Sequence, residues 1–449
     1  MWNNKNFLPL LFVFSVISMV THTQLVGMFI LLALTELLLI FCDDLMSIVC
    51  PVFCVLLLST EFYVDYTVLT PYIPYAVIPF GLALLFNLLY YRRPLVKGRF
   101  TKAMIAVSFA LLFGGVGVIP VKEYFRPVSL YYTVGLGVGM LIIYLLILSR
   151  LQNEREYDRV ERLADILYVA GLVAAVIVLV FYIRNFDRFL ENGSVLYYKP
   201  RNYIASVILM TMPASCLLVN RRRIHLLGFA AMCAALAFNG SRSGLLFGAM
   251  VGFVCGVYMC YLRKESLKQR RWYNWLFIAI VALLSYVAFK YIPMLYSSRL
   301  IDGNFISSSE TRVSFIELGI RDFIENSING IGIGNLKNVA TFKAIIPGSI
   351  VFYHNVLIQV AGSMGIIGVM AYSLLFGERM RLIISNLHST SVIFGFSYAA
   401  ILAMSMTNPG IFCPFPEAGL LTLMFAVMEH ESNVQTEKEI ESLLMEEAV

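Results

Sequence analysis

Apolar runs, one after another, decide what this chain can fold into. A stretch of roughly 17–25 predominantly apolar residues is long enough to cross a bilayer as a helix, and about fourteen such stretches occur here. They are 7–21, 24–42, 45–60, 71–91, 101–121, 128–149, 163–184, 203–219, 224–239, 243–262, 273–291, 355–376, 390–407 and 411–428. The first, third and ninth are short, so about twelve to fourteen spans are expected. Lipid offers the backbone no hydrogen-bond partners, which leaves helices or closed barrels. The ten-residue alternation of a barrel strand is absent. Only 14% of the residues are charged, against about 25% in a soluble domain. The fold class expected is all-α: a polytopic integral membrane protein.

Lys and Arg in short loops set orientation. Arg92, Arg93, Lys97, Arg99 and Lys102 fall in one set of alternate loops, with Arg150, Arg155, Arg159, Arg162, Arg221, Arg222, Arg223, Arg263, Lys264, Lys268, Arg270 and Arg271. These loops are expected to be cytoplasmic, as are both termini. The segments 185–202 and 292–353 are then external. The net charge of +6 is accounted for by topology, and nucleic acid is not an expected partner. Residues 1–21 have no small-x-small cleavage site after them, so they read as an uncleaved first span. The eight cysteines lie in or beside apolar spans and read as small apolar filler.

The organisation expected is one multi-span membrane domain, 1–428, with the external loop 292–353 inside it. An acidic tail, 429–449, should be a short solvated helix or a disordered end. After Ser307, Ser308 and Ser309, the residues Val313, Ile316, Ile320, Phe323 and Ile324 recur at helical spacing. They predict an amphipathic helix that lies on the bilayer surface or caps the spans. Gly330, Gly332 and Gly334 then mark an irregular turn. Gly248, Gly252 and Gly256 form a small-residue stripe for close helix packing.

A few polar residues gather at the external rim. Arg242 sits in SRSGLL between two spans, where a charge is expensive and commonly functional. Its guanidinium suits phosphate, although snorkelling to headgroups is the plain alternative. Arg312 precedes the amphipathic face, and Arg201 ends the other external loop. His354, with Asn355 beside it, stands where the long loop meets a span. Histidine is the side chain whose ordinary pKa lies near neutrality, so it suits proton transfer. A merely hydrogen-bonded interfacial histidine is the alternative. No external carboxylate cluster calls for a divalent metal, and no cofactor is expected.

Taken together, SRSGLL (Arg-x-x-x-Leu), ETRVSFIELGIRDFIENSINGIGIGN and HNVLIQVAGSMGIIG (His-Asn-x9-Gly-x-x-Gly) resemble the bacterial O-antigen ligase and polymerase superfamily, membrane glycosyltransferases of GT-C type. The resemblance covers 237–368. It implies functional roles for Arg242, Arg312 and His354; Arg201 is added from its position, and Asn355 as support. It further implies an undecaprenyl-diphosphate-linked glycan as donor, a glycan or lipid-core hydroxyl as acceptor, and a site on the outer face of the bacterial cytoplasmic membrane. The arginines would stabilise the departing diphosphate and His354 would take the acceptor proton, in an inverting, metal-independent transfer. A ligase is the first expectation and a repeat-unit polymerase the alternative. A lipid-linked glycan transporter or flippase is the competing class, against which the polar residues stand at one rim rather than at the midplane.

Overall fold

A computed structural model describes residues 7–43, 45–62, 66–92, 94–117, 127–151, 159–187, 201–219, 221–259, 275, 279, 304–333, 352–387, 389–408 and 415–447. Among them every regular element is helical, and the chain is an all-α polytopic membrane protein. Helices occupy each apolar run named above except 273–291, which lies outside the described residues apart from two positions. Five are long and apolar enough to cross a membrane: Gln24–Phe41, Pro74–Tyr91, Tyr132–Leu151, Arg159–Arg184 and Val356–Ser385. Several other apolar helices are shorter than the runs suggested. Local breaks are one reason. A π-turn occupies Leu111–Gly115, and Pro213 sits in a 3-10 turn, Met212–Ala214, that interrupts another helix.

The chain divides into two compact units. The first comprises Met1–Arg93, Glu161–Phe305 and Phe396–Ile401. In it, Asn87 donates to the carbonyls of Leu39 (2.5 Å) and Cys42 (3.0 Å), tying the helix Ile73–Tyr91 to the end of Gln24–Phe41. Arg184 donates to Met19 O (2.8 Å) and to Val20 O, covering orphan carbonyls at the end of Phe7–Val20. The glycine stripe works as expected on Arg242–Val257. A Cβ at Gly248 would meet Leu236 at 2.8 Å, and one at Gly252 would meet Cys233 at 3.5 Å, so that helix packs closely on His225–Phe238.

The second unit comprises Pro94–Val160, Ile306–Gly395 and Leu402–Val449. Its organising feature is a break in Val356–Ser385. Gly365 has φ 62° and ψ −155°, a conformation essentially confined to glycine. The break frees backbone groups, and the turn after the loop helix Asn304–Glu325 takes them up. Ile331 N donates to Gly362 O (2.9 Å), Gly332 N to Ser363 O (2.9 Å), and Ser327 O accepts from Ile366 N (2.7 Å). The same turn reaches the π-turn through Ile333 N to Gly115 O (2.7 Å), and Ser129 donates to Ile333 O (2.7 Å). Gly365 of the Gly-x-x-Gly motif and the turn through Gly330 and Gly332 thus meet in one backbone junction; Gly334 lies outside the described residues.

The loop helix expected after Ser307 forms, burying Phe315, Leu318 and Asp322 and leaving Val313, Ile320 and Ile324 of the face read from periodicity exposed. Both faces carry apolar residues, and Gly319 decides between them: a Cβ there would meet Ile358 at 2.3 Å and the Tyr353 ring at 3.0 Å. One expectation is corrected: the start of the acidic tail is not solvated. The last helix runs unbroken over Phe415–Glu447, and Glu429 is buried, accepting from Arg99 N (2.5 Å) and Tyr144 Oη (2.5 Å).

Candidate active site

The expected site residues fall two and three between the units. Arg201 and Arg242 belong to the first, and Arg312 and His354, with Asn355, to the second.

Arg201 and Arg242 each open a helix, Arg201–Thr211 and Arg242–Val257. Short polar side chains set the two starts side by side. Asn239 donates to Arg201 O (2.5 Å), and Ser241 donates to Asn202 Oδ1 (2.8 Å). Ser241 Oγ also caps the second helix by accepting from Gly244 N (3.1 Å). Gly240 turns the chain into that cap with φ 72°. Gly244 allows the contact, since a Cβ there would lie 2.7 Å from Ala205 Cβ. Two half-buried guanidinium-bearing residues and two helix N-termini therefore share one corner. Helix N-termini favour anions.

His354 is built differently. It is one of the few non-glycine residues with positive φ, at 57°. Such a conformation is uncommon for residues other than glycine, and clusters where structure around it over-determines the backbone. Asn355 follows as the N-cap of Val356–Ser385, its Oδ1 accepting from Leu357 N (2.9 Å) and Ile358 N (3.2 Å). Its Nδ2 donates to Met406 O (3.1 Å), tying the junction to the end of Ser389–Ser405. Arg312 lies on the loop helix, and one turn further on the Phe315 ring is 5.6 Å from the imidazole. Burial first, and then the Arg312 guanidinium, push the His354 pKa down to about 4, against a hydrogen bond with Asn408 that pulls it up. The ring is therefore neutral at neutral pH. Its Nδ1 is enclosed and has no hydrogen-bond partner among the described residues. A neutral imidazole with an unengaged nitrogen beside a cation has the makings of a proton acceptor.

Beneath His354 lies a buried polar set that sequence reasoning missed. Tyr353 Oη donates to Asp322 Oδ2 (2.8 Å), Tyr353 N to Gln359 Oε1 (2.9 Å), and Gln359 Nε2 to Ser363 Oγ (2.8 Å). Asp322 was not among the residues singled out on the loop helix, and Asn408 was hidden by its distance along the chain. The signal in sequence was an acidic residue at helical spacing from Phe315 and Leu318.

These elements define an all-helical membrane protein with a histidine–arginine corner at the start of a broken apolar helix. Residues 227–373 match the family model described as O-antigen ligase. The segment carrying Arg242, Arg312, His354 and the glycine junction is therefore similar to that family, over about a third of the chain; Arg201 precedes it. In general terms this similarity supports a ligase-like role of membrane-glycosyltransferase type. A comparison with curated proteins returned no match.

Proposed function

We propose that the chain transfers a glycan from an undecaprenyl-diphosphate donor to an acceptor hydroxyl at the outer face of the bacterial cytoplasmic membrane. The observation that carries this reading is His354: held in a left-handed turn at the head of an apolar helix, neutral, and beside Arg312. As base, it accepts the acceptor's hydroxyl proton while the oxygen attacks the donor's anomeric carbon. The bond to the diphosphate breaks, and attack from the opposite side inverts that centre. A diphosphate leaves readily once its charge is balanced, and preorganised guanidinium groups supply that balance in a water-poor site. Arg242, Arg201 and Arg312 fill this role, with the two helix N-termini reinforcing the first pair.

The exposed Val313, Ile320, Ile324 and Ile328 suit the loop helix to the bilayer surface, close to a lipid-linked donor. Both termini are cytoplasmic in this reading. A cysteine placed at Asn304 should react with an impermeant reagent from outside and one at Gln269 should not; the reverse pattern overturns the orientation. The central experiment is transfer by purified protein with a lipid-diphosphate glycan, in excess chelator. Turnover that persists, and that is lost in His354→Ala while donor binding survives, supports a metal-independent base mechanism. Turnover that collapses and returns only with magnesium or manganese overturns the metal-independent part. A ligase is favoured over a polymerase by the family description; the two differ in acceptor.

A further inference from the structure

Tyr353 is held on every side. Its hydroxyl is bonded to Asp322 on the loop helix and its backbone N–H to Gln359 on the broken helix. Two glycines from those same helices close on its ring. A Cβ at Gly319 would lie 3.0 Å from ring Cδ1, and one at Gly362 would lie 2.9 Å from Cε2. Asp322 and Gln359 are fully buried at 0% exposure, and Tyr353 is at 1%. The next residue is His354, and the one after it is pinned as a helix cap. The left-handed turn of His354 is thus clamped between two fixed neighbours.

A carboxylate is an expensive way to build such a clamp. Burying an ionised group costs far more than burying an amide or a methyl group unless it is bonded well. A leucine at 322 would pack on Phe315 and Leu318 at no such cost. The Tyr353 phenol, pushed well above its ordinary pKa by burial and then by the Asp322 charge, stays protonated and always donates. The bond is charge-assisted and stronger than a neutral pair. Its effect is to fix the height and rotation of the residue that leads into His354.

We infer that Asp322 is a positioning residue for His354, acting through the hydroxyl of Tyr353. The inference rests on the reading of His354 as the base, and misplacing such a group by about 1 Å can cost on the order of 100-fold in rate. Asp322 itself touches no reacting atom: it lies beneath the tyrosine.

The test uses the full chain in detergent, with Tyr353→Phe, Asp322→Leu and Asp322→Asn. Asparagine keeps an acceptor for the tyrosine hydroxyl, whereas leucine keeps only bulk. Turnover and donor KM are measured against pH, alongside thermal unfolding. Separately, the imidazole is titrated by NMR in histidine-labelled protein, with the signal assigned from the H354Q spectrum. Tyr353→Phe and Asp322→Leu should lower kcat by roughly 10- to 100-fold with little change in donor KM. Both should raise the His354 titration from about 4 towards the ordinary value near 6.5, as the ring loosens into a more polar setting. Asp322→Asn should recover most of both. In an H354Q background, Asp322→Leu should cost nothing further in kcat. An unmoved imidazole titration in Asp322→Leu overturns the inference, as does a kcat loss that follows unfolding alone and is equal for Asn and Leu. If H354Q keeps full turnover, the base reading fails by itself; the titration then still decides whether Asp322 positions the ring.

Discussion

The two cationic corners of this molecule are built differently. Arg201 and Arg242 stand on ordinary helix starts joined by neutral polar side chains: Ser241 caps its own helix and bonds Asn202, and Asn239 bonds the Arg201 carbonyl. His354 stands on a positive-φ turn held on both flanks, with the buried carboxylate of Asp322 and the amide of Gln359 anchoring Tyr353 and Met406 receiving Asn355. The first arrangement presents charge, and small shifts in it change an electrostatic field gradually. The second fixes one ring in one orientation, which is what a proton transfer demands and what simple charge balance does not. On the proposed roles, the difference makes donor binding and chemistry separable by mutation.

The largest break in that comparison is His354→Ala. It should lower kcat by about 100- to 10,000-fold, the usual contribution of a general base, with donor affinity retained in a lipid-diphosphate binding assay. A parallel loss of affinity would place His354 in binding instead. Arg242→Ala and Arg312→Ala should each cost about 100- to 1,000-fold in transfer, with Lys restoring only part because it lacks the forked geometry. Full activity in both Ala variants would reject the clamp.

Gly365→Ala attacks only the His354 side. The backbone strain is worth about 1–3 kcal/mol, and the added Cβ meets Ile328 C and O at 2.4 Å. The melting temperature in detergent should fall, and turnover should fall more than donor binding if the Arg201–Arg242 corner binds donor as proposed.

Arg312→Gln sharpens the electrostatic account. Arg312 is the second cause lowering the His354 pKa, after burial. Removing it should move the acid limb of kcat/KM upward from about 4. A bound diphosphate neutralises the same guanidinium, so in wild type the limb in kcat should lie above that in kcat/KM, since the two report complex and free enzyme. An unchanged limb in Arg312→Gln would remove the arginine from the histidine's field. The smallest effect is expected from Ser241→Ala. Losing one N-cap costs about 1 kcal/mol, and donor KM should rise modestly while kcat holds.

A depressed histidine pKa does not by itself mark function. His430 is also pushed down to about 4, by burial and then by Arg159. It sits in ordinary helix beside the buried Glu429, with no strained backbone and no junction built around it. Geometry separates the two histidines where charge does not.

The helical class was legible in the sequence, because chain in lipid must bond its own backbone and apolar length is read residue by residue. The candidate residues Arg242, Arg312 and His354 were legible too, since they lie within short motifs, and so was the glycine-rich turn. What the turn does was not legible: Ile331 and Gly332 dock on the carbonyls of Gly362 and Ser363, freed by the break at Gly365, more than thirty positions away in the chain. Periodicity gave the loop helix two apolar faces and no reason to choose, and only the fit of Tyr353 and Ile358 against Gly319 chose. Asp322 became meaningful when that choice put it under Tyr353. Local order follows from the spacing of side chains along one chain. The orientation of a single imidazole depends on contacts between segments distant in sequence, and only tertiary packing supplies those.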